Sequence, residues 1–417
     1  MVGLPCCGKS SICRKLSAFL SWKGQRVRIF NAGRARRQLS DEGKLPPASS
    51  SFFDANNVEG KELKEMIAMS TLDNLLEWLS SSGDVAFFDA TNSTVKRRSD
   101  ITRRVEECGR RSNSVPMRVL FLETLCDDPV ILESNLLNKV RTSPDFAGMT
   151  EEEGIADLKR RLTYYESIYE SLRPSEGSFI KLLNMSSYVV TNQVFGRLSR
   201  SVLPFVCAIH TSQRPIFLTA LVPTHTEKLF ASQRSAWQLV SSSFNEGEAA
   251  DADLAKRLAA WVQKQAFQGK HLCVLASTTP AALEASAAVV EASGCSVTQQ
   301  SMLNPMDLGT DPGTLRQEID KFTSRINGGE SYEDLVQRLE PCLLEMEGST
   351  DPVLVIAHAM PCRALRAYFL GLPVTKCMES DSSEAAGALA DARPCVLELN
   401  PVRGRFQEII HVLDPVP

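Results

Sequence analysis

The sequence predicts an α/β protein of two domains, the first a phosphate-loop domain with a mostly parallel sheet. Three observations carry this. Residues Gly3 to Ser10 read Gly-Leu-Pro-Cys-Cys-Gly-Lys-Ser, a full G-x-x-x-x-G-K-[ST] phosphate loop. Short apolar runs alternate with helical patterns, as in a doubly wound sheet. A second alternating series begins near Ile216, and 417 residues are too many for one core.

In chain order, Ile12, Leu16, Phe19 and Leu20 recur at helical spacing after the loop. Lys9 and Ser10 then stand at a helix N-terminus, where the dipole favours an anion. Val27–Phe30 is a short strand. Ala32–Ser51, rich in Arg and Ser, is expected to be a loop. Glu62–Leu79 is a helix, and Val85–Phe88 a buried strand ending in Asp89. Arg118–Leu122 is a strand ending near Glu123. Thr150–Ser171 is a charged helix whose Thr150-Glu151-Glu152-Glu153 start has the capping-box pattern. Tyr188–Val190 is a late strand. Arg197–Arg214 joins the two series, with domains expected over 1–205 and 213–417. The later strands are Ile216–Ala220, Leu272–Ala276, Val353–Ile356 and Cys395–Leu399. Asp381–Arg393 is expected to be a loose loop.

Composition excludes several classes. A net charge of −4 gives no global argument for nucleic acid or an anionic membrane. No apolar run reaches the roughly 18 residues that a spanning helix needs. The start lacks the pattern of a secretory signal. The 12 cysteines show no paired C-x-x-C spacing, as expected of reduced thiols in a cytoplasmic protein. A phosphate loop is usually preceded by a buried strand. Two residues precede this one; if that strand is absent, the loop loses its support from the sheet.

The loop implies a nucleoside triphosphate with Mg²⁺. Backbone N–H groups cradle the phosphates, Lys9 reaches the outer ones, and the Ser10 hydroxyl holds the metal. Asp89 ends its strand in Phe87-Phe88-Asp89-Ala90-Thr91-Asn92. A carboxylate there can hold Mg²⁺ or accept a proton from an attacking hydroxyl, or it can simply cap a helix. Arg34, Arg36 and Arg37 crowd one stretch. They repel one another unless an anion or acid sits among them, and arginine binds phosphate bidentately. A phosphorylated substrate and a solvated basic loop are both open. Lys96, Arg97 and Arg98 read as a solvated helix start. A thiolate at Cys6 or Cys7 would gain from the helix N-terminus, although inert thiols are the commoner outcome.

Taken together, these residues resemble the kinase half of the bifunctional 6-phosphofructo-2-kinase/fructose-2,6-bisphosphatase family. The resemblance lies in Gly3–Ser10, Phe30–Arg37, Phe88–Asn92 with Arg97-Arg98, Glu123–Pro129, Ser143-Pro144-Asp145, and Arg161, Tyr165, Glu166 and Tyr169 in order. It implies ATP and Mg²⁺ at Gly3, Gly8, Lys9, Ser10 and Asn135, the metal held by Ser10 and Asp89. It implies Lys9, Asp89 and Lys139 at the reacting centre. Arg36, Arg37, Lys64, Thr91, Arg161 and Tyr165 would line the fructose 6-phosphate site. The reaction implied is in-line transfer of the γ-phosphoryl group of ATP to the sugar 2-hydroxyl, making fructose 2,6-bisphosphate. No nucleic-acid or membrane partner is implied, and a homodimer is allowed. Two departures stand out. Lys64 occupies the place of a family arginine, losing the bidentate fork. The family lysine before Ser-Pro-Asp is shifted by one, so Lys139 and Arg141 compete for its role.

The second half resembles the family's histidine phosphatase domain, an α/β sandwich. Gly329–Pro341 and Val355-Ile356-Ala357-His358 carry the likeness. The family's Arg-His-Gly-Glu is replaced by Ala220-Leu221-Val222-Pro223, its later arginine by Ala281 and its acid-base glutamate by Pro305. A phosphoenzyme needs its nucleophile, so bisphosphatase activity is expected to be absent. His225 lacks the neighbours of a slipped nucleophile. His358 is left as a structural remnant or part of an anion pocket, and Glu330, Tyr332 and Arg338 for packing or regulation. The competing expectations are an inactive ATP-binding scaffold, or a phosphate-loop kinase acting on nucleotides or polynucleotides.

Overall fold

The computed structural model describes residues 1–44, 57–111, 116–185, 187–210, 213–221, 244–265, 267–307, 309, 322–325, 328–374, 389, 394–402 and 405–415. Two compact units form: Met1–Leu20 with Gln25–His210, and Ser21–Gly24 with Thr211–Pro417.

In the first unit, helix α1 (Lys9–Trp22) follows the loop directly, and β1 (Val27–Asn31) comes next. Helix α2 (Ala32–Asp41) corrects the expected Ala32–Ser51 loop over its first part. The Asn31 side chain caps it by accepting from the Arg34 N–H at 2.8 Å. Residues 45–56 of that stretch lie outside the described residues. Helix α3 (Val58–Ser81), β2 (Val85–Asp89) and α4 (Val95–Arg111) follow. Phe30 and Phe88 of the two strands pack with Leu72, Leu75 and Leu76 of α3 and with Ile101 and Val105 of α4.

Strand β3 (Phe121–Leu125) lies three residues later than expected. Helix α5 (Pro129–Thr142) is capped by Asp128, with Pro129 at its first turn. Helix α6 (Glu151–Ser167) begins with the capping box of Thr150 and Glu153. Strand β4 (Phe179–Leu183), which the sequence reading missed, lies between β3 and β5 (Tyr188–Asn192). Strands β1 and β2 are parallel, as are β3 and β4, while β5 runs antiparallel. The stretch expected only to join the two series contains helix α7 (Arg197–Ala208). Its Phe205 stacks on Phe19 at 4.2 Å.

Met1–Gly3 ties the loop to the sheet. Val2 donates to Leu122 O at 2.8 Å and accepts from Thr124 N at 2.9 Å. The Met1 nitrogen donates to Phe88 O at 3.0 Å, and Gly3 donates to Thr91 O at 3.1 Å. These bonds span from β2 to β3.

The second unit contains β6 (Ile216–Ala220), α8 (Phe244–Lys264), β7 (Cys273–Ala276), α9 (Pro280–Ser293) and β8 (Ser296–Gln299). It continues with α10 (Tyr332–Gly348), β9 (Val353–Ala357), α11 (Ala359–Leu370), β10 (Cys395–Val402) and β11 (Arg405–Val412). The sheet order is β11-β10-β6-β9-β7-β8. Its β6, β9, β7 and β8 are parallel, and the β10–β11 hairpin is antiparallel. Every residue of Val-Leu-Val-Ile-Ala in β9 is buried, as a central parallel strand requires. Most of Asp381–Arg393, Val222, Pro223 and His225 lie outside the described residues.

Candidate active site

The loop's glycines are required by close approaches. Gly3 sits at φ +141°, and a Cβ there would lie 2.4 Å from the Thr124 carbonyl oxygen. Gly8 sits at φ +82°, with the Met185 sulfur 3.0 Å from where its Cβ would stand. Cys6 adopts a left-handed φ of +67°, and its carbonyl accepts from Asn135 Nδ2 at 2.9 Å. Asn135 of α5 therefore holds the loop's shape.

Lys9 opens α1 and folds back to donate to the Leu4 carbonyl. Burial, and then the nearby Lys139 ammonium, lowers its pKa to about 8. Ser10 Oγ donates to Asp89 Oδ2 at 2.7 Å, and Asn31 Nδ2 donates to the same oxygen. Asp89 is buried at the end of β2. Ser10 and Asp89 thus form an all-oxygen pair that suits a hard cation such as Mg²⁺. The loop backbone at the start of α1 suits phosphate oxygens. The residues present therefore fit ATP·Mg²⁺.

A second cluster gathers on Asp145, in the short turn after α5. Arg36 lies 2.6 Å from its carboxylate, Arg37 3.5 Å and Arg161 3.6 Å. Arg161 also pairs with Asp157 at 2.6 Å. The acid that the crowded arginines needed is Asp145. The third arginine is Arg161, 124 residues beyond Arg37 in sequence, and Arg34 is exposed instead. Burial pushes the Tyr165 hydroxyl up to about 12, with Tyr164, Arg161, Arg36 and Arg97 acting on it. Lys64 Nζ lies 4.8 Å from the centre of the Tyr164 ring. Burial, with Lys61 beside it, lowers the Lys64 ammonium to about 8. Thr91 enters through its carbonyl, bonded to Gly3.

Lys139 and Arg141 are separated by their surroundings. Arg141 is largely exposed and forms a fork with Glu151 at 2.6 and 3.1 Å. The Lys139 charge acts on Lys9, Cys6 and Cys7. The solvated start expected for α4 holds for exposed Lys96 and needs correction at Arg97 and Arg98. Arg97 pairs with Glu65 with its side chain 15% exposed. Arg98 is 1% exposed, and binds Glu176 at 2.6 Å and the carbonyls of Asn92 and Glu170 at 3.1 and 2.8 Å. Burial raises the Cys6 and Cys7 thiols, which keeps them protonated rather than reactive. Arg97, Asp145 and Tyr164 were missed as site neighbours, although the Arg97-Arg98 and Ser143-Pro144-Asp145 landmarks signalled two of them.

In the second unit, Ala220 ends β6 and Leu221 is fully buried, donating to Ala357 O at 2.8 Å. His358 caps α11 and meets Thr279 Oγ1 at 3.1 Å. Burial lowers its pKa to about 4, so it is neutral at pH 7. Asn304 Oδ1 accepts from Ser277 Oγ at 2.8 Å and from Thr278 N and Oγ1 at 2.9 Å. Arg338 forms a fork with Glu330 at 2.7 and 2.8 Å and donates to Asn304 O and Pro305 O at 3.1 and 3.3 Å. Tyr332 is buried at the start of α10. Among the described residues, hydroxyls, an amide and a neutral histidine surround the ends of β7 and β9.

The family model for 6-phosphofructo-2-kinase matches residues 1–213, and that for the histidine phosphatase superfamily (branch 1) matches residues 248–386. A 6-phosphofructo-2-kinase/fructose-2,6-bisphosphatase from Gallus gallus is 33% identical over 423 residues, 96% of this chain and 82% of its own. The chain belongs to the 6-phosphofructo-2-kinase/fructose-2,6-bisphosphatase family. The family member from Arabidopsis thaliana is 32% identical over 90% of this chain, which spans only 49% of that relative. The Saccharomyces cerevisiae relative named 6-phosphofructo-2-kinase 1 is 29% identical over 89% of this chain and 47% of its own length. Among solved structures, the alpha-ribazole phosphatase from Shigella flexneri aligns with a TM-score of 0.32 at 13% identity, over 49% of this chain and 100% of its own. The phosphate loop, Asp89 and the arginine cluster fall within the residues matched by the kinase model, and His358 within those matched by the phosphatase model.

Proposed function

We propose that the first unit is an ATP-dependent 6-phosphofructo-2-kinase and that the second lacks bisphosphatase activity. The observation that carries the kinase assignment is the pairing of Ser10 with Asp89 at 2.7 Å behind a fully formed phosphate loop. In the same unit, three arginines converge on Asp145.

The loop amides and Lys9 bind the triphosphate, and Asn135 keeps the loop in its binding shape. Mg²⁺, when bound by Ser10 and Asp89, neutralises charge on the phosphates. Arg36, Arg37 and Arg161 exchange part of their hold on Asp145 for the 6-phosphate of the sugar. Lys64, Thr91 and Tyr165 complete that site. Asp89 also takes the proton of the attacking 2-hydroxyl. Lys139 adds a second positive charge beside Lys9, where negative charge shifts during transfer. Catalysis is mainly positioning and charge neutralisation.

In the second unit, neither Ala220 nor Leu221 can attack phosphorus, Ala281 binds no phosphoryl oxygen, and Pro305 carries no proton. His358, neutral and bonded to Thr279, serves the fold. A cytoplasmic, homodimeric protein is consistent with this assignment, and light scattering checks the second point.

One observation favours the inactive scaffold as the second reading: Asp145 already satisfies the arginines. Turnover decides between them. Wild type is expected to convert fructose 6-phosphate and ATP, and Lys9→Met to be at least 100-fold slower, the order lost with a key electrostatic donor. Equal rates would overturn the kinase assignment. ATP binding by calorimetry without turnover would select the scaffold.

A further inference from the structure

We propose that Tyr164 is a positioning residue that holds the Lys64 ammonium at the sugar-phosphate site. This rests on the kinase assignment above and goes beyond it.

Lys64 stands in α3 where the family carries arginine. A guanidinium is a rigid, planar fork, whereas an ammonium is a point charge on a flexible, strongly hydrated stem. Holding it part-buried against α6 needs something to order the stem and offset its lost hydration. Lys61, one turn back on α3, adds repulsion. The Tyr164 ring answers both needs. It lies 4.8 Å from Lys64 Nζ, within cation–π range. A ring face attracts a cation without offering a carboxylate, so the contact does not neutralise the charge that an incoming phosphate would meet.

Position on the helix adds the second half of the case. Tyr164 lies three residues after Arg161 on α6 and next to Tyr165. Its ring centre is 5.4 Å from that of Tyr165, at an interplanar angle of 58°. Arg161 reaches Asp145 from the same helix. One helix therefore fixes Arg161, Tyr165 and, through Tyr164, the Lys64 of α3. Tyr164 touches no reacting atom; it acts through Lys64.

The test is steady-state kinetics on the full chain. Tyr164→Leu should raise KM for fructose 6-phosphate about 5- to 10-fold, the order expected of a partly desolvated cation–ring contact. Both kcat and KM for ATP should stay within about 2-fold. Tyr164→Phe keeps the ring face and should behave as wild type. In a Lys64→Arg background the fork orders itself, and Tyr164→Leu should cost less than about 2-fold. Lys64→Met should match Tyr164→Leu and add little to it. An unchanged KM in Tyr164→Leu overturns the proposal, as does an equal loss in the Lys64→Arg background. So does a Tyr164→Phe variant as poor as the leucine. If wild type shows no turnover, the kinase assignment has failed, and the same variants are read by calorimetric titration with fructose 6-phosphate. The pattern above in Kd then supports the role of Tyr164, and absence of binding to wild type overturns it.

Discussion

Replacing Asp145 with asparagine removes the charge on which three arginines converge while keeping the shape. Arg36 and Asp145 are 2.6 Å apart, with side chains 11% and 15% exposed. Breaking one partner of a buried pair costs about 3–5 kcal/mol. Arg37, 33% exposed at 3.5 Å, adds little, because solvent screens it. Arg161 keeps Asp157 at 2.6 Å. The expected loss is therefore near the lower bound, roughly 3 kcal/mol. For a domain of this size, that lowers Tm of the first unit by roughly 6–12 °C. Thermal unfolding of the full chain with and without fructose 6-phosphate is the assay. The substrate phosphate restores the missing negative charge, so Asp145→Asn should gain more Tm from it than wild type does. A Tm within about 1 °C of wild type would refute the arginine-clamp reasoning, as would a loss that the substrate relieves no better than in wild type.

Three further outcomes follow from the same geometry. Lys9 has its pKa lowered from 10.5 to about 8, so between those values the unfolded chain binds more protons and stability rises with pH. ATP pulls the proton back on, so calorimetry near pH 9 in two buffers should show net proton uptake on binding; buffer-independent heats would contradict this. His358 has its pKa lowered from 6.5 to about 4, so its contribution to stability falls as pH drops from about 6.5 to about 4. His358→Gln should flatten that slope in the unfolding of the second unit, and an unchanged slope would sink the assignment. Gly3→Ala drives a Cβ to 2.4 Å from the Thr124 carbonyl at a φ that alanine avoids. It should cost roughly 3 kcal/mol and most of the ATP affinity; wild-type binding by calorimetry would show that the loop tolerates a side chain.

Much of the fold was legible because it was local. The phosphate loop, the strand ending at Asp89 and the capping box at Thr150 declare themselves within a few residues. The Ala32–Asp41 helix was not legible, because Arg-rich composition hid a helix set by the Asn31 cap and by Arg36 turning inward to Asp145. Strand β4 was missed because its place is fixed by pairing with β3, 58 residues earlier. The arginine cluster was half legible: the sequence showed that some acid was needed, but not that Asp145 and Arg161 would meet there. Support for the loop came from backbone bonds of Met1–Gly3, which no side-chain pattern announces. The changes at Ala220, Leu221, Ala281 and Pro305 were legible only beside the family pattern.

One measurement joins both halves of the proposed function. The protein is incubated with fructose 6-phosphate and ATP labelled in the γ-phosphate, and the label is followed beyond exhaustion of the ATP. The expected result is label accumulating in fructose 2,6-bisphosphate and staying there, with no histidine-linked phosphoenzyme. Label that never leaves ATP would contradict the kinase assignment. Label passing from the bisphosphate to inorganic phosphate, through a labelled histidine, would contradict the loss of phosphatase chemistry.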